Sequence, residues 1–169
     1  MALLSKQQLA HYRAAFDMLA GPDGRADPVY ALRAAGRFDA AISICQGGFG
    51  LLGGVEDADV VAQMAAAVKR GGRVALSAFS SYFALRYLEE GDTFDASSGV
   101  NHERTQVRDP SGRSAEFDLY TTCFTPRELR LMAAAAGVEV EGLWSVGPGD
   151  YSTRRPDIDH PEFLLIGEV

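Results

Sequence analysis

Two short stretches combine residue types and spacing that can do chemistry. The first, residues 45–50, has the sequence CQGGFG and follows the apolar run 38–45. Its glycines allow a ligand to come close to the backbone, and Gln46 offers both a donor and an acceptor. If the run is a parallel strand, its carboxyl end is where open α/β sheets bind ligands. The pattern favours a ligand-binding loop, with a plain strand-to-helix connection as the alternative.

The second stretch, Asn101-His102-Glu103-Arg104, contains two candidate bases. An imidazole or a carboxylate of suitable pKa can accept a proton from a hydroxyl or an amine. His102 and Glu103 are therefore the candidate catalytic residues. The alternative is ordinary alternation of polar residues along an exposed strand.

The other reactive or aromatic side chains have a structural alternative. Cys45 could be a nucleophile with His102 as its base, but a cysteine that closes a buried strand is usually a small hydrophobe. The two cysteines have no metal-ligand spacing, so no metal site is expected. Five aromatic residues can either wall an apolar acceptor pocket or belong to the core. They are Tyr82, Phe83, Tyr120, Trp144 and Tyr151.

The composition excludes several classes of protein. The chain has 169 residues, of which 47% are hydrophobic and 23% charged, as in a single globular domain that needs no disulfide. Its net charge of −7 disfavours nucleic acid or an anionic membrane as the main partner. We find neither a secretory signal nor a run of roughly 20 apolar residues, and so expect a cytoplasmic protein.

The hydrophobic pattern predicts that strands and helices alternate. The runs 38–45 and 73–79 are typical of strands buried on both faces. Between them, a helix begins at Asp57 or Asp59, continues through Arg70 and ends at the following glycine pair. Strand, helix and strand in this order predict a right-handed crossover within a parallel sheet.

The remaining predicted elements form an inserted ribbon and a return to the sheet. The turn Asp109-Pro110-Ser111-Gly112 joins two ribbon strands. Thr125 and Glu128 form a capping box that begins a helix. The full set comprises a helix from residue 5, a helix at 80–90, ribbon strands at 101–108 and 113–123, a helix at 125–137, a strand at 138–146, a polar loop at 147–160 and a strand at 162–168.

Three of these segments, in this order, resemble the class I S-adenosylmethionine-dependent methyltransferases. Residues 36–43 (GRFDAAIS) look like the family's fourth strand, and residues 68–74 (VKRGGRV) look like its turn into the fifth. Residues 120–137 are similar to the helix before its sixth strand. The resemblance covers about residues 36–169. It implies an α/β fold with a Rossmann-like sheet, mostly parallel with an antiparallel last strand, and an inserted β-ribbon at about residues 95–123.

The resemblance also implies a cofactor, S-adenosylmethionine, and a place for it. By resemblance, Cys45, Gln46, Gly47, Gly48 and Phe49 line the methionine end of the cofactor, near the methyl acceptor. Asp27 is similar to the residue that contacts the adenine, although an aspartate before proline is also typical of a turn. The family's ribbon packs over the mouth of the active site, which would bring His102 and Glu103 there. The family's asparagine-proline-proline-aromatic tetrapeptide is absent, and with the acidic charge this favours a small-molecule acceptor.

The chain departs from the family pattern before Phe38. No glycine-rich G-x-G loop after a strand is found there, and the residues around Ser5 resemble the stretch that follows the family's second strand. We therefore expect a methyltransferase fold that lacks its first strand or strands, through truncation or natural loss. The strand at 38–45 would then be an open edge, which favours a homodimer. The alternative is that the N-terminal helix folds back over that edge.

Two functions are compatible with these observations. The first is a methyltransferase, or the C-terminal part of one, that acts on a small molecule with S-adenosylmethionine. The second is a cofactor-free remnant that serves as a binding or dimerisation module. Binding of S-adenosylmethionine distinguishes them.

Overall fold

The computed structural model describes residues 38–44, 49–51 and 57–169 of the chain. The predicted helix from residue 5, Asp27 and loop residues 45–48 lie outside these ranges. The elements in chain order are β1 (Phe38–Ser43), α1 (Asp57–Ala67), β2 (Val68–Ser80), α2 (Ser81–Arg86), β3 (Thr93–Asp95), β4 (Val100–Arg108), β5 (Ser114–Phe124), α3 (Pro126–Ala135), β6 (Glu139–Gly147), β7 (Asp150–Arg154) and β8 (Glu162–Glu168).

The centre of the sheet has the predicted strand directions. β1 runs parallel to β2, with Ala41 opposite Val74. β8 lies between β2 and β6 and is antiparallel to both. β2 and β6 therefore run in the same direction on either side of β8. The α/β fold class and the antiparallel last strand are confirmed.

The inserted ribbon pairs with β2 along the same edge that β1 uses. β8 occupies one edge of β2, so β1 and β5 share the other, with β5 pairing only at Phe79 and Ser80. β4 and β5 form the predicted antiparallel ribbon, and β3 pairs with β4. The predicted turn is also present, since Gly112 N donates to Asp109 O at 3.0 Å. The ribbon thus extends from the carboxyl end of the parallel strands.

The core lies between the sheet and the two longer helices. Val68, Val74 and Leu76 of β2 and Phe163 and Leu165 of β8 are at most 1% exposed. α1 and α3 pack against this surface and against each other. Burying side chains of this size contributes about 1.5–3 kcal/mol each, so these two strands hold much of the fold's stability.

The glycine pair after α1 has a different role from the predicted helix stop. α1 ends at Ala67, and β2 begins at Val68, so the prediction of a helix through Arg70 was wrong. A Cβ on Gly72 would lie 2.6 Å from the Asp39 backbone oxygen, which only glycine avoids. Gly72 therefore allows β1 and β2 to approach each other at a register shift.

The capping box of α3 is confirmed. Glu128 N donates to Thr125 Oγ1 at 3.2 Å, and Thr125 N donates to Glu128 Oε2 at 2.6 Å. Pro126 occupies the first turn, where no amide hydrogen is needed. Such a cap stabilises a helix by about 1 kcal/mol, so it sets where α3 begins.

Two other predicted boundaries differ from the structure. The region 147–160 was predicted to be a loop, but Asp150–Arg154 forms β7, which pairs with β6 around Gly149 at φ 79°. The helix predicted at 80–90 is shorter and ends at Arg86. β7 lies at the edge of the sheet and its residues are mostly exposed, so its sequence does not need to alternate apolar and polar residues.

β1 has one apolar face toward solvent in the part of the chain that the structure describes. Ala41 packs against the core, whereas Phe38, Ile42 and Ile44 are 39%, 68% and 40% exposed. Within the described residues, β1 pairs only with β2. The expected homodimer would use this strand, and it stays a prediction.

Candidate active site

A cleft of about 430 Å³ lies beside the carboxyl end of β2. Phe83 of helix α2 and the two residues that follow the helix, Tyr87 and Leu88, form one wall, and the ribbon forms the opposite wall. The rings of Phe83 and Tyr87 contact each other, with centroids 4.5 Å apart. The remaining lining residues are Phe79, Ala84, Glu89, Asp92, Asn101, Glu103, Arg104, Thr105, Leu119, Thr121, Cys123 and Pro161.

The pleat of the ribbon decides which of its side chains line the cleft. Successive side chains on a strand point to opposite faces. Asn101, Glu103 and Thr105 of β4 line the cleft, as do Leu119 and Thr121 of β5. Glu103 pairs with Leu119 across the ribbon, and Asn101 pairs with Thr121. One face of the ribbon is therefore a wall of the cleft.

His102 lies on the other face of the ribbon. Its ring stacks on Tyr120, with centroids 4.4 Å apart and planes at 9°. Its Nε2 lies 2.9 Å from Asp118 Oδ1, and this hydrogen bond is the main cause that lowers the pKa of the Asp118 carboxyl. The structure thus does not bring together the two predicted catalytic residues, because consecutive positions on a strand face opposite ways. Of the pair, only Glu103 lines the cleft.

Three carboxylates surround the cleft. Glu89 and Asp92 lie on the turn after α2, where Asp92 N donates to Glu89 O at 3.1 Å, and Glu103 lies on β4. The pKa of Glu103 is raised above its ordinary value, first by partial burial and then by the negative charges of Asp92 and Glu89. Glu103 therefore holds its proton more strongly than an exposed glutamate, which is the direction of shift that a general base needs.

Two further polar groups belong to the same cleft. The Oδ1 atom of Asn101 is buried and has no hydrogen-bond partner among the described residues. A buried acceptor without a donor costs free energy that a ligand donor can recover. Burial raises the pKa of the Cys123 thiol to about 12, so this side chain is not a nucleophile near neutral pH.

The predicted aromatic wall is only partly assembled. Phe83 lines the cleft, but the other four residues do not. Tyr82 meets Phe163 edge to face at 6.4 Å, and Tyr120 stacks on His102. Trp144 and Tyr151 lie on β6 and β7, on the far side of β8 from β2. For these four residues, contact with an acceptor stays a prediction, because none of them lines the cleft.

The predicted cofactor loop is described only at its end. Cys45, Gln46, Gly47 and Gly48 lie outside the described residues, as does Asp27. Phe49 is 1% exposed, and its ring stacks on Phe124 with centroids 4.7 Å apart. A contact between this ring and a ligand would require the ring to leave the core. Phe49 is therefore placed to anchor the loop.

Gly50 completes that anchor through its backbone. Its N donates to Asp57 Oδ1 at 3.0 Å, and its O accepts from Thr122 N at 2.7 Å. Its φ is 82°, and a Cβ would lie 3.0 Å from Thr122 O, so a side chain there would be strained. The end of the loop is thus fixed to α1 and to the ribbon.

Several cleft residues were missed by the sequence predictions. Tyr87, Glu89 and Asp92 belong to no recognisable motif, and Asn101 stands beside the two candidate bases without being a candidate itself. The alternation along 101–105 was the available signal, because it places Asn101 on the same face as Glu103. The turn that carries Glu89 and Asp92 had no such signal.

The described part of the chain shows neither a metal-binding cluster nor a membrane-spanning helix. Within residues 38–44, 49–51 and 57–169, no three His, Cys, Asp or Glu side chains form a group that could hold a metal ion. Among the described helices, none is both long and apolar enough to cross a bilayer.

Comparisons with known proteins identify the fold. No family model matches the sequence, and no curated protein sequence matches it. The CcbJ methyltransferase from Streptomyces caelestis is similar, with a TM-score of 0.63 at 20% identity over 79% of this chain and 58% of that protein. An S-adenosylmethionine-dependent methyltransferase from Clostridium acetobutylicum has a TM-score of 0.65 at 12% identity, over 98% of this chain and 72% of that protein. The glycopeptide N-methyltransferase MtfA, in complex with S-adenosylhomocysteine, has a TM-score of 0.52 at 13% identity, over 98% of this chain and 70% of that protein.

These similarities define the class of fold. The chain has a class I S-adenosylmethionine-dependent methyltransferase-like fold. It spans 58% of the length of the CcbJ methyltransferase.

Proposed function

We propose that this chain is an S-adenosylmethionine-dependent methyltransferase, or part of one, and that it methylates a small-molecule acceptor. The observation that carries the proposal is the cleft of about 430 Å³ at the carboxyl end of β2, in a fold shared with methyltransferases. Open α/β sheets bind their ligands beyond the carboxyl ends of the strands. A cleft of this volume suits a small molecule.

The cofactor side of the proposal depends on the loop after β1. Cys45, Gln46, Gly47 and Gly48 would hold S-adenosylmethionine, mainly through backbone groups and the Gln46 amide. The fit is supported by Phe49 and Gly50, which fix the end of this loop to the core and to Thr122. When bound, the cofactor supplies a methyl group already activated on a sulfonium.

The acceptor side depends on the cleft itself. Phe83 and Tyr87 offer apolar contact, and Glu103 offers a proton acceptor of raised pKa. Alignment of the reacting atoms contributes most to such a transfer, so rigid walls matter more than strong bases. We assign the base role to Glu103 rather than to His102, because His102 faces away from the cleft.

The test is isothermal titration with S-adenosylmethionine and S-adenosylhomocysteine. We expect micromolar binding that is abolished by Gly48→Val, with an unchanged circular dichroism spectrum. The control is Gly147→Ala, where an added Cβ would meet its nearest atoms at 3.7 Å. No binding by the wild-type chain would favour the cofactor-free binding or dimerisation module. Unchanged affinity of Gly48→Val would move the cofactor site away from this loop.

We further propose that the chain forms one domain and acts in the cytoplasm. The first point is supported by the single sheet that includes every described strand. The second carries forward the expectation from the sequence. Fractionation of the producing cells tests the location.

A further inference from the structure

The cleft contains more negative charge than its surroundings neutralise. Its charged lining residues are Glu89, Asp92 and Glu103, which bear carboxylates, and Arg104, whose side chain alternates to the other face of the ribbon. The Nε atom of Arg104 lies 3.4 Å from Asp118 Oδ1, on the opposite face of the ribbon. Part of its charge is therefore used outside the cleft. No ion pair that the structure shows joins Glu89, Asp92 or Glu103 to a basic residue in the described part of the chain.

The carboxylates lie beside aromatic and apolar surface. Tyr87 and Leu88 are 49% and 43% exposed although they are large and apolar, and both line the cleft with Phe83. Carboxylates within an apolar wall suit a ligand with a cationic head and an apolar body. The Arg86 guanidinium already lies over the Tyr87 ring, 5.6 Å from its centroid, and pairs with Asp159, so the cationic head would be bound by the carboxylates. A metal ion fits less well, because these acids are not part of any metal-binding group within residues 57–169.

We propose that the acceptor is a primary or secondary amine, bound as its ammonium form by Glu89, Asp92 and Glu103, with its apolar body against Phe83 and Tyr87. This proposal rests on the proposed function and specifies its substrate class. The buried Oδ1 of Asn101 offers a further acceptor for a donor on the same ligand. Neutral alcohols of the same shape would leave the three carboxylates without a counter-charge.

The chemistry of an ammonium acceptor balances with one base. The bound ammonium transfers a proton to Glu103, which frees the nitrogen lone pair. That lone pair forms the new N–C bond with the methyl carbon of the sulfonium donor, and the C–S bond breaks with its electrons going to sulfur. Glu103 then loses its proton to solvent. No oxidant or metal ion is needed.

The test uses matched probes without cofactor, so that it does not depend on S-adenosylmethionine binding. Cyclohexylamine is protonated near neutral pH, whereas cyclohexanol has the same ring and no charge. We expect the amine to bind about tenfold more tightly than the alcohol, because hydrogen bonds to charged groups are the stronger ones. Amide chemical-shift changes in ¹H–¹⁵N spectra should concentrate at residues 83–92 and 101–105.

Two charge-neutralising variants locate the effect. Glu103→Gln should reduce the preference for the amine by at least about threefold, since it removes one of the three negative charges. Glu116→Gln removes the same charge from an exposed position on the same ribbon, outside the cleft, and should leave the preference unchanged. Equal binding of the two probes, including failure of both to bind, would overturn the amine proposal. If the wild-type chain prefers the amine but does not bind S-adenosylmethionine, the result would instead contradict the proposed methyltransferase function.

Discussion

Replacing Phe49 by alanine tests how the candidate cofactor loop is anchored. Phe49 is 1% exposed, stacks on Phe124 at 4.7 Å, and belongs to the core cluster with Val61 and Met64. Removing a fully buried phenylalanine ring costs about 3–5 kcal/mol, which includes about 0.5–1.5 kcal/mol for the aromatic pair. That loss is a large part of a typical free energy of unfolding of about 5–15 kcal/mol.

The assay is urea unfolding followed by the fluorescence of Trp144, the only tryptophan, and by circular dichroism. Phe49→Leu keeps most of the apolar burial and loses the ring stacking, so it should cost about 1–1.5 kcal/mol. The control is Phe117→Ala, because Phe117 is 54% exposed and its loss should change the free energy of unfolding by less than about 0.5 kcal/mol. A cost below about 1 kcal/mol for Phe49→Ala would refute the anchoring role.

The remaining predictions concern the pH dependence of stability and the oligomeric state. The pKa of Glu103 is raised in the folded protein, so its contribution to stability is greatest below the ordinary glutamate pKa of about 4.3 and is lost as pH rises through the raised pKa. The free energy of unfolding of wild type minus that of Glu103→Gln should therefore fall with rising pH in urea titrations, and a rise would contradict the assigned environment. Sedimentation equilibrium should show a homodimer, which Ile42→Lys dissociates because Ile42 is 68% exposed on β1; a wild-type monomer of 18.1 kDa would disprove it.

The parts of the fold that depend on local chemistry could be predicted from the sequence. The capping box at Thr125, the turn at Asp109 and the strand beginning at Phe38 each depend on residues within a few positions. The end of α1 could not be predicted in this way. A glycine pair is compatible both with a helix stop and with close strand approach, and only the position of Asp39 O shows which applies.

The candidate site was predictable only in part for a similar reason. Glu103 and Phe83 were identified from residue type, and both line the cleft. His102 was identified by the same criterion, but the register of β4 against β5 places it on the opposite face. Glu89 and Asp92 enter the cleft because α2 ends at Arg86, which is a tertiary outcome rather than a local pattern.

The position of β8 has a consequence for how the sheet can assemble. β8 follows every other described element in the chain, and yet it lies in the middle of the sheet between β2 and β6. During synthesis, β1 can pair with β2 and the ribbon can close, but β6 has no strand that joins it to β2 until residues 162–168 have emerged. Pairing across such sequence separations is slow, because chain entropy is lost before the contacts form. The apolar surfaces that Phe163 and Leu165 later cover are exposed in the meantime, so the nascent chain passes through a stage that is prone to aggregation.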